Sequence, residues 1–554
     1  MFPTNNWWTL TALVILGTTI GLNQRVAAQQ VSAVGQDGVE VLTRGPVHEA
    51  FAETITFDPE PGIVTPKAPP TEIEEVPPRQ RPEGKNLTWI PGYWGWDDER
   101  NDFLWISGIW RALPPSRQWV PGYWGQSHEG AQWTSGYWAD ANATEIQYLP
   151  EPPATVEEGP SIAASSPDQN WLPGCWIWQQ NRYAWRPGYW AAGHQDWDWV
   201  PDHYVWTPSG YVFVDGYYDY SVPRRGIVFA PVYFHGGLHN RHGFSYSPSI
   251  VINPGVFISH LFLRPRYGHY YFGDYYGSNY ADAGFSPWFS YHSSRRGYDP
   301  IYANQRWQHR HDHEWERHTK ADFGNYRDNE DIRPPRTWAA QRERDGRGDK
   351  SKRNRMSMAA SLEELARKKD SGFQFQPLDE SERQQFGQHG REYRKYLQQR
   401  QALEADAAPT RDGEPAATVE PARRKFARSP FVALPVDQLG KRNAPPQRHE
   451  VLKPDLQVQP QPRTRGGQTG ARRGFTQGTA AEPQQREPQA RRKFGSQDQP
   501  QHQRLNQGNR QGATGAQSQR QGSNRGQAQN ASNNESQDKP RNQSRGRSKK
   551  NDND

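Results

Sequence analysis

A tryptophan-rich hexapeptide is the feature that most constrains how this chain can fold. Residues 89–94 read "WIPGYW", and the pattern W-x-x-G-x-W then returns at intervals of 14 or 16 residues. Two sets of four units are recognised when Phe and Tyr replace Trp in the most degenerate copies, with starts at Trp89, Trp105, Trp119, Trp133, Trp171, Trp185, Trp199 and Phe213. The repeat therefore predicts eight equivalent structural units in two blocks.

Each unit has the composition of a strand interrupted at its centre. Aromatic and β-branched residues flank a central Pro-Gly or Ser-Gly, and seven of the eight units keep the glycine. One interpretation is a β-bulge, in which glycine adopts a positive φ and the extra residue returns both tryptophans to one face. The alternative is a type II turn between two shorter strands. Polar stretches such as residues 125–132 then form hairpin loops.

The tryptophans serve either as a core or as platforms that stack on a ligand. Of the 23 in the chain, 17 lie between Trp89 and Trp206, where aliphatic residues are scarce. An ordered region there must bury most of its indoles, since each aromatic ring removes about 150–250 Å² from water. We expect a few rings at sheet edges to stay exposed and to stack on a ligand, with Trp96, Trp178 and Trp197 as candidates.

Composition limits how much of the chain can pack. Only 33% of the 554 residues are hydrophobic, and the mean hydropathy is −1.06. From residue 421 to the end there are 26 Lys and Arg against 10 Asp and Glu, a net charge of +16. The other 420 residues carry +6 − 16 = −10. This predicts an acidic folded part and a basic tail that meets an anionic partner, folds back on its own body or is simply solvated.

The N-terminus resembles an export signal. Residues 7–22 are apolar or hydroxylic, and "VAA" at 26–28 offers small residues for cleavage before Gln29, although no Lys or Arg precedes the apolar run. An uncleaved anchor is the alternative, and we expect no transmembrane span once the signal is removed. The single cysteine, Cys175, excludes an intrachain disulfide and is interpreted as a small buried hydrophobe.

The units resemble the W-x-x-G-x-W, or Y-x-W-x-x-G-x-W, aromatic repeat of bacterial exported proteins. The longer form is seen in "YAWRPGYW" at 183–190 and, with Phe, in "FLWISGIW" at 103–110, and the match covers about residues 85–220. The following region, from "RGIVFAPVYF" to "RPPRTW", also resembles the companion region of large members. The resemblance implies a periplasmic, cell-surface or secreted protein of undefined function, and it carries no catalytic residues.

Residues 221–298 are rich in Tyr, Phe, Gly and His, and we expect them to pack against the repeat sheets. Two apolar runs separated by "NPG" within 249–263 predict a hairpin. "YGHYYFGDYY" at 267–276 forms either an exposed aromatic loop or the cover of a sheet, so Tyr270 and Tyr271 are further stacking candidates for a carbohydrate.

A helix is predicted over 299–331, with Asp299 as its N-cap and Pro300 as its first residue. His309 and His313 are four residues apart on it and are weak candidates for a metal site. A solvated helix face is the favoured interpretation. No cofactor and no catalytic residue are predicted.

Two further helices are predicted, one starting at a capping box of Ser361 and Glu364 and one over about 381–406. Their apolar faces are small, so we expect them to be isolated or to depend on a partner. The tail carries "RRKF" at 423, "RRGF" at 472 and "RRKF" at 491, which favour a polyanion. For an exported chain that means an acidic envelope polysaccharide, anionic lipid or another protein, whereas nucleic acid would require a chain that stays inside the cell.

The sequence thus predicts a mainly β fold: an antiparallel meander or sandwich of short Trp-rich strands, then a helix and a long disordered basic tail. The predicted segments are a signal peptide (1–28), an acidic Pro-rich segment (29–84), repeat block 1 (85–138), a linker (139–170), repeat block 2 (171–220), the aromatic extension (221–298), the helix (299–331), a polar segment (332–406) and the tail (407–554). We expect a non-enzymatic envelope scaffold; the alternative is a carbohydrate-binding module.

Overall fold

Four long β-hairpins, each made of two repeat units, organise the computed structural model of the chain. The model describes residues 30–32, 37–84, 86–347, 357–368, 372–405, 421–439 and 444–447, all within one compact unit of residues 1–467. The signal peptide prediction and the tail motifs at 472 and 491 lie outside the described residues. The fold is mainly antiparallel β, as the repeat composition predicted.

Each hairpin has two arms, and each arm consists of two short strands separated by the central x-Gly of its repeat unit. Hairpin 1 contains Leu87–Ile90, Tyr93–Asp97, Asp102–Ile106 and Ile109–Ala112; hairpin 2 contains Arg117–Val120, Tyr123–Ser127, Gly130–Thr134 and Tyr137–Asp140. Hairpin 3 contains Gln169–Leu172, Cys175–Gln179, Arg182–Arg186 and Tyr189–Ala192; hairpin 4 contains Trp197–Val200, His203–Thr207, Gly210–Val214 and Tyr217–Tyr220.

The interruption in each arm is neither a bulge nor a reversing turn. In hairpin 1, Ile90 pairs with Ile109 and Tyr93 with Ile106, so two residues separate the pairs on both arms and the register is unbroken. The chain reverses only at the hairpin tips, for example at Gln180 and Asn181, which both have positive φ. Both sequence interpretations of the Pro-Gly step were therefore wrong, and the repeat glycines do not adopt positive φ.

The glycines are required because an indole lies on them. A Cβ on Gly108 would stand 2.6 Å from Cζ2 of Trp89 and 2.7 Å from the carbonyl oxygen of Ile90. Such contacts are far inside van der Waals distance, so any side chain at this position would displace the ring. The first tryptophan of one unit covers the glycine of the opposite unit in the same way at Gly92, Gly122, Gly136, Gly174, Gly188 and Gly216.

Register also places the tryptophans opposite each other. Trp89 faces Trp110 and Trp94 faces Trp105, with ring centroids 5.4 and 5.1 Å apart in edge-on contact. The two pairs enter different hydrophobic clusters, Trp94 and Trp105 the main core and Trp89 and Trp110 a second cluster. The single aromatic face that was predicted is therefore not observed. Instead, the aromatic pairs of the hairpin contribute to two separate cores.

The segment before the repeats is part of the fold rather than a separate extension. Its strands pair with the aromatic extension, for example Val39–Val41 with Val232–Phe234. The short parallel ladders Gln30–Ser32 with Ser245–Ser247, and Ser245–Ser247 with Glu74–Glu75, are exceptions to the antiparallel pattern. The other strands of this segment are Gly45–Pro46, Ile55–Thr56, Val64–Thr65 and Gln80–Pro82.

The aromatic extension packs on the repeats as predicted. Gly226–Val228 and Val232–Phe234 pair with the two strands of one and the same arm of hairpin 1, Ile109–Ala112 and Asp102–Ile106. The predicted hairpin across "NPG" is wrong, because Asn253 instead caps the short helix Pro254–Phe257 by accepting from the Gly255 N–H. The remaining strands here are Ile250–Ile252, Leu261–Arg264, His269–Phe272, Ser286–Pro287 and Gly297–Tyr298, and the short helices are Val222–Arg225, Ser278–Asp282 and Trp288–Tyr291.

The predicted helix over 299–331 begins where expected but breaks in the middle. The Asp299 carboxylate accepts from the Tyr302 N–H at 3.0 Å, and Pro300–Gln308 is followed after a turn by the separate helix Trp315–Asp328. Trp338–Arg347 and Leu362–Arg367 follow, the second with the predicted capping box of Ser361 and Glu364. The strands Ala359–Ser361 and Phe375–Pro377 pair with Ile250–Ile252 and Gln80–Pro82.

The last long helix, Glu380–Ala405, is not isolated. Its buried face carries an ion pair, since Arg400 and Glu404 are fully buried with 3.0 Å between Nε and Oε1. The Tyr123 hydroxyl of hairpin 2 donates to the same glutamate at 2.8 Å. The sequence prediction failed because it looked for an apolar stripe, whereas the buried face of this helix combines charged side chains with two tyrosines and two glycines.

The described start of the predicted tail is also folded. Ala422–Lys425 forms an edge strand on Glu145–Leu149, which lies inside the predicted linker and also pairs with hairpin 4. The side chain of Phe431 is buried, and its carbonyl accepts from the Trp119 N–H at 3.0 Å. Disorder was predicted here from composition, but strand pairing and one inserted ring fix residues 421–433.

Candidate functional site

A carboxylate lies at the centre of hairpin 1, at the break in its ladder. The two glycines of the break leave N–H groups without strand partners, and Glu75 accepts from both, at 2.5 Å from Gly92 and 3.0 Å from Gly108. The indole N–H of Trp105 donates to the same carboxylate at 3.1 Å. The glycine N–H groups and the tryptophan indole N–H of the repeat thus form a set of donors, referred to below as the receptor, that binds one carboxylate.

Hairpin 2 repeats the arrangement and adds a cation. Glu49 accepts from the Gly136 N–H and the Trp133 indole, each at 3.0 Å. Arg400 donates to the freed carbonyl oxygens of Pro121 and Ser135, at 2.5 and 3.1 Å. The interrupted ladder is therefore satisfied by a carboxylate on its N–H groups and by a guanidinium on its carbonyls.

Block 2 has the same receptor with different occupants. In hairpin 3, Glu157 accepts from the Gly174 N–H at 2.5 Å and from the Trp171 indole at 2.9 Å. In hairpin 4 the carboxylate is internal, because Asp202 stands where the other units have glycine and accepts from the Gly216 N–H at 2.6 Å. The degenerate "WVPDHY" unit is thus explained: it carries its own carboxylate.

Two of the occupants come from a second repeat that sequence reasoning missed. Residues 69–77 read "PPTEIEEVP" and residues 152–160 read "PPATVEEGP", which share P-P-x-x-[I/V]-E-E-x-P. Glu75 precedes Gly92 by 17 residues and Glu157 precedes Gly174 by the same number. The signal was visible as a recurring Pro-Glu pattern with a glutamate 17 residues before a repeat glycine, but residues 69–77 were assigned to an acidic Pro-rich segment and residues 152–160 to a linker.

Burial shifts the titration of these carboxyl groups upward. It raises the pKa of Glu49 to about 8 and that of Glu75 to about 7, although the N–H donors around each favour the charged form. Glu53, which accepts from the Trp138 N–H and the Tyr217 hydroxyl, has its pKa raised to about 7 for the same reason. Their oxygens are engaged by donors of the fold, so these groups act as structural acceptors.

One cleft has a volume of about 750 Å³, and carboxylates, among them Asp58, Glu60 and Asp282, as well as guanidinium groups line it. It lies among the segment containing Glu49 and Glu53, residues 203–206 of hairpin 4 and residues 264–296 of the extension. Two half-buried rings, Trp206 and Tyr267, line it. Exposed guanidinium groups also line it, at Arg266, Arg295 and Arg296. Aromatic faces beside guanidinium groups form a surface that suits a sugar ring bearing an anionic group.

Four of the five predicted stacking residues are buried and do not present a face to a ligand. Trp96 and Trp197 are each 7% exposed, and Tyr270 and Tyr271 lie in the buried strand His269–Phe272. Trp178 is half-buried, with its ring 4.8 Å from that of Tyr183. Trp96 failed as a prediction because its indole packs edge-on with Phe103 and donates to Asp98.

The weak metal candidates are not on one helical face. Gln308 ends the first helix and His309 is its C-cap, so His309 and His313 are not one turn apart on a continuous helix. The His309 ring stacks on Trp315 at 4.9 Å, and its Nδ1 lies 2.9 Å from the Gln305 carbonyl oxygen. Among the described residues, no group of three or more His, Cys, Asp or Glu side chains is arranged to hold a metal ion.

Cys175 is buried, as predicted, and burial raises the pKa of its thiol. Within the described part of the chain, no helix combines the length and apolarity needed to cross a bilayer. Comparison with known proteins gives no match: no family model, no curated protein and no solved structure is similar to this chain.

Proposed function

We propose that this protein is a non-enzymatic scaffold of the cell envelope, exported and built around the repeat hairpins. The observation that carries the proposal is the position of the repeat rings. Seven tryptophans of block 1 are at most 2% exposed, namely Trp89, Trp94, Trp105, Trp110, Trp119, Trp133 and Trp138. Rings that fill a core give a rigid body rather than a ligand platform, and the resemblance to an exported aromatic-repeat family supports the location.

The buried carboxylates support a non-enzymatic role. Glu49, Glu53 and Glu75 have the raised pKa values often found at catalytic sites. However, backbone, indole or tyrosine donors of the fold occupy their oxygens, and Glu49 and Glu75 are at most 3% exposed. A general acid or base must reach a substrate proton, and these groups are turned to the hairpins instead.

Fractionation of the native cells with N-terminal sequencing of the mature protein tests this proposal. We expect the chain in an envelope or secreted fraction with Gln29 as its first residue. A chain that keeps Met1 and fractionates with the cytoplasm would contradict export, and the basic tail would then favour nucleic acid as its partner.

A second candidate function is carbohydrate binding in the cleft. The half-buried Trp206 and Tyr267 beside exposed arginines favour an acidic polysaccharide over a neutral one. Titration with polygalacturonate should quench the tryptophan fluorescence of the wild type and of the Trp178→Ala control, but much less that of Trp206→Ala. Equal quenching in both variants, or equal quenching by neutral dextran, would contradict this second function.

A further inference from the structure

Hairpin 3 holds a proline-rich segment of its own chain in an extended conformation. Residues 150–168 link Glu145–Leu149 to Gln169–Leu172 and contain neither helix nor strand. The segment begins "PEPPATVEEGPSI" and lies along the aromatic side chains of the hairpin. Proline restricts such a segment to extended backbone, whose carbonyl groups cannot be satisfied internally.

Aromatic N–H and O–H groups of the hairpin satisfy those carbonyls. The Trp176 indole donates to Ala154 at 3.0 Å and the Trp190 indole to Ile162 at 2.8 Å. The Tyr183 hydroxyl donates to the carbonyl oxygen of Pro150 at 2.5 Å. Aromatic donors spaced along an extended proline-rich backbone are the usual means by which grooves recognise such peptides.

The glutamate receptor adds a specific anchor to this backbone recognition. Glu157 enters the receptor of Gly174 and Trp171, three residues after the carbonyl that Trp176 binds. Hairpin 1 binds its own segment by the same two elements, since the Trp94 indole donates to the Thr71 carbonyl at 3.2 Å and Glu75 fills the receptor. Two hairpins of one chain therefore hold segments with the same P-P-x-x-[I/V]-E-E-x-P pattern, although the second glutamate of the pattern, Glu75, fills the receptor of hairpin 1 and the first, Glu157, fills that of hairpin 3.

The two bound segments differ in how firmly they are covered. In hairpin 1, Ile73 and Glu75 are buried, and Arg383 of the helix Glu380–Ala405 donates to the Pro77 carbonyl at 3.0 Å. In hairpin 3 Pro152 and Pro153 of the equivalent segment are buried, but the residues after them are half-exposed or exposed, with Val156 46% and Ile162 77% exposed. The segment of hairpin 1 is thus fixed under a helix, whereas that of hairpin 3 can leave without disturbing the main core.

We propose that hairpin 3 is a binding site for an extended Pro-Glu segment of the pattern P-P-x-x-[I/V]-E-E-x-P supplied by a partner polypeptide, and that residues 150–162 are its displaceable internal occupant. The inference extends the proposed scaffold function, because it assigns the scaffold a surface and a class of partner. The anchor is the partner's glutamate in the Gly174–Trp171 receptor, and the indoles of Trp176 and Trp190 bind its backbone.

A labelled synthetic peptide of residues 150–162 tests the proposal on the purified mature chain by fluorescence anisotropy. The variant Glu157→Ala weakens the internal occupant, so the peptide should bind it at least about tenfold more tightly than it binds the wild type, where the tethered segment competes at high effective concentration. Glu158→Ala, an exposed neighbour in the same segment, is the matched control and should bind like the wild type.

The chemistry of recognition is tested on the peptide and on the groove. A peptide with Gln in place of the glutamate at position 157 should bind Glu157→Ala at least about tenfold more weakly, since a charged hydrogen bond is lost. Adding Trp176→Phe, which removes one indole donor, should weaken binding, whereas adding Trp178→Phe should not. Equal binding of the peptides with Glu and with Gln would overturn the proposal. Complete loss of peptide binding in free acetate would also overturn it, because the backbone contacts should hold the peptide when acetate occupies the receptor.

A measurement on the unmodified chain covers the case in which Glu157→Ala does not fold. Hydrogen exchange should be at least about 100-fold faster at the Gly174 amide than at the Gly92 amide, because only the first loses its acceptor when residues 150–162 lift away. Equal protection of the two amides would show a fixed segment and overturn the proposal. Since all these experiments use purified protein, their failure would leave the question of export, and hence the scaffold location, untouched.

Discussion

Block 1 and block 2 carry the same repeat in different surroundings. Both have constant register, paired aromatic rings and a carboxylate at each ladder break. Yet block 1 buries all but Trp124 of its motif tryptophans, whereas in block 2 five motif residues stay half-exposed, namely Trp171, Trp185, Trp190, Trp199 and Phe213, and so does the neighbouring Trp206. The repeat therefore determines the hairpin, and the rest of the chain determines whether the hairpin becomes a core.

The covering elements of block 1 can be named. The N-terminal segment supplies Glu49 and Glu75, the extension adds two strands to the second arm of hairpin 1, and the helix Glu380–Ala405 lies against hairpin 2. In block 2, Trp176 and Tyr204 belong to a small cluster separate from the main core, whereas Val200, Val212 and Tyr217 join the main core. The same motif thus forms a buried core in block 1 and a more accessible surface in block 2. We therefore expect the same substitution to change the free energy of unfolding by different amounts in the two blocks.

The largest difference is expected at the carboxylates. Glu75→Gln places an amide NH₂ group against the N–H donors of Gly92, Gly108 and Trp105, and the buried site cannot admit water to relieve it. We expect a loss of about 3–5 kcal/mol in the free energy of unfolding. Glu157→Gln, in the half-exposed receptor, should cost about 1 kcal/mol. Urea denaturation followed by tryptophan fluorescence gives both values, and equal losses would contradict the comparison.

The next difference is expected at the glycines. A Cβ on Gly122 or on Gly188 would meet Cζ2 of a tryptophan at 2.4 Å, and in each case a backbone carbonyl oxygen also lies closer than 3 Å, that of Thr134 at 2.8 Å or that of Leu172 at 2.6 Å. Trp133, over Gly122, is fixed in the main core, whereas Trp171, over Gly188, is half-exposed and can move, so that only the carbonyl contact remains. Gly122→Ala should therefore cost about 3 kcal/mol and Gly188→Ala about 2 kcal/mol. Thermal melts of the two variants provide the measurement, and a reversed order would refute the explanation.

Stability should also depend on pH through Glu49, Glu53 and Glu75 of the N-terminal segment. The pKa values of these groups in the folded state, about 8 for Glu49 and about 7 for Glu53 and Glu75, exceed the ordinary value of 4.5. Between pH 4.5 and these values, the folded state therefore binds protons that the unfolded state has lost. Their contribution is therefore full below pH 4.5 and is lost as the pH rises through 7 to 8.

Buried histidines change stability in the opposite direction, and they do so in a lower pH range. Burial lowers the pKa of His48 to about 3 and that of His203 to about 4, so their contribution rises with pH and is complete above 6.5. Between pH 6.5 and 8 the carboxyl groups act alone, and the melting temperature should fall. The control Glu53→Gln should reduce this fall, because one titrating group is removed. A melting temperature that rises across this range would contradict the assignment.

The sequence was sufficient for the parts that depend on local pattern. Aromatic residues about a central glycine predicted strands, the hairpin loops fell in the polar stretches, and Asp299 and Ser361 capped helices as expected. The role of the glycine could not be predicted, because it depends on the indole of the opposite arm, which a one-dimensional pattern does not place. The stacking candidates failed for the same reason, since burial of Trp96 or Tyr271 is decided by distant segments.

Long-range charge pairing was the other limit. Glu75 and Glu157 lie in proline-rich stretches, of which composition assigned the second to a linker, and Arg400 lies on a helix with little apolar surface. Each completes hydrogen bonds that an interrupted ladder leaves open in another part of the chain. Sequence reasoning that counts apolar area does not register such groups, whereas asking where each backbone N–H finds an acceptor would have predicted them.

The position of the tryptophans is the central claim, and fluorine NMR of the chain labelled with 5-fluorotryptophan tests it most directly. Resonances are assigned by single Trp→Phe variants, and each is compared in H₂O and D₂O. The seven buried rings of block 1 should show no solvent isotope shift, whereas those of Trp171, Trp190 and Trp206 should show one. Solvent shifts at the block 1 rings would contradict the account, because those rings would then be a ligand surface and not a core.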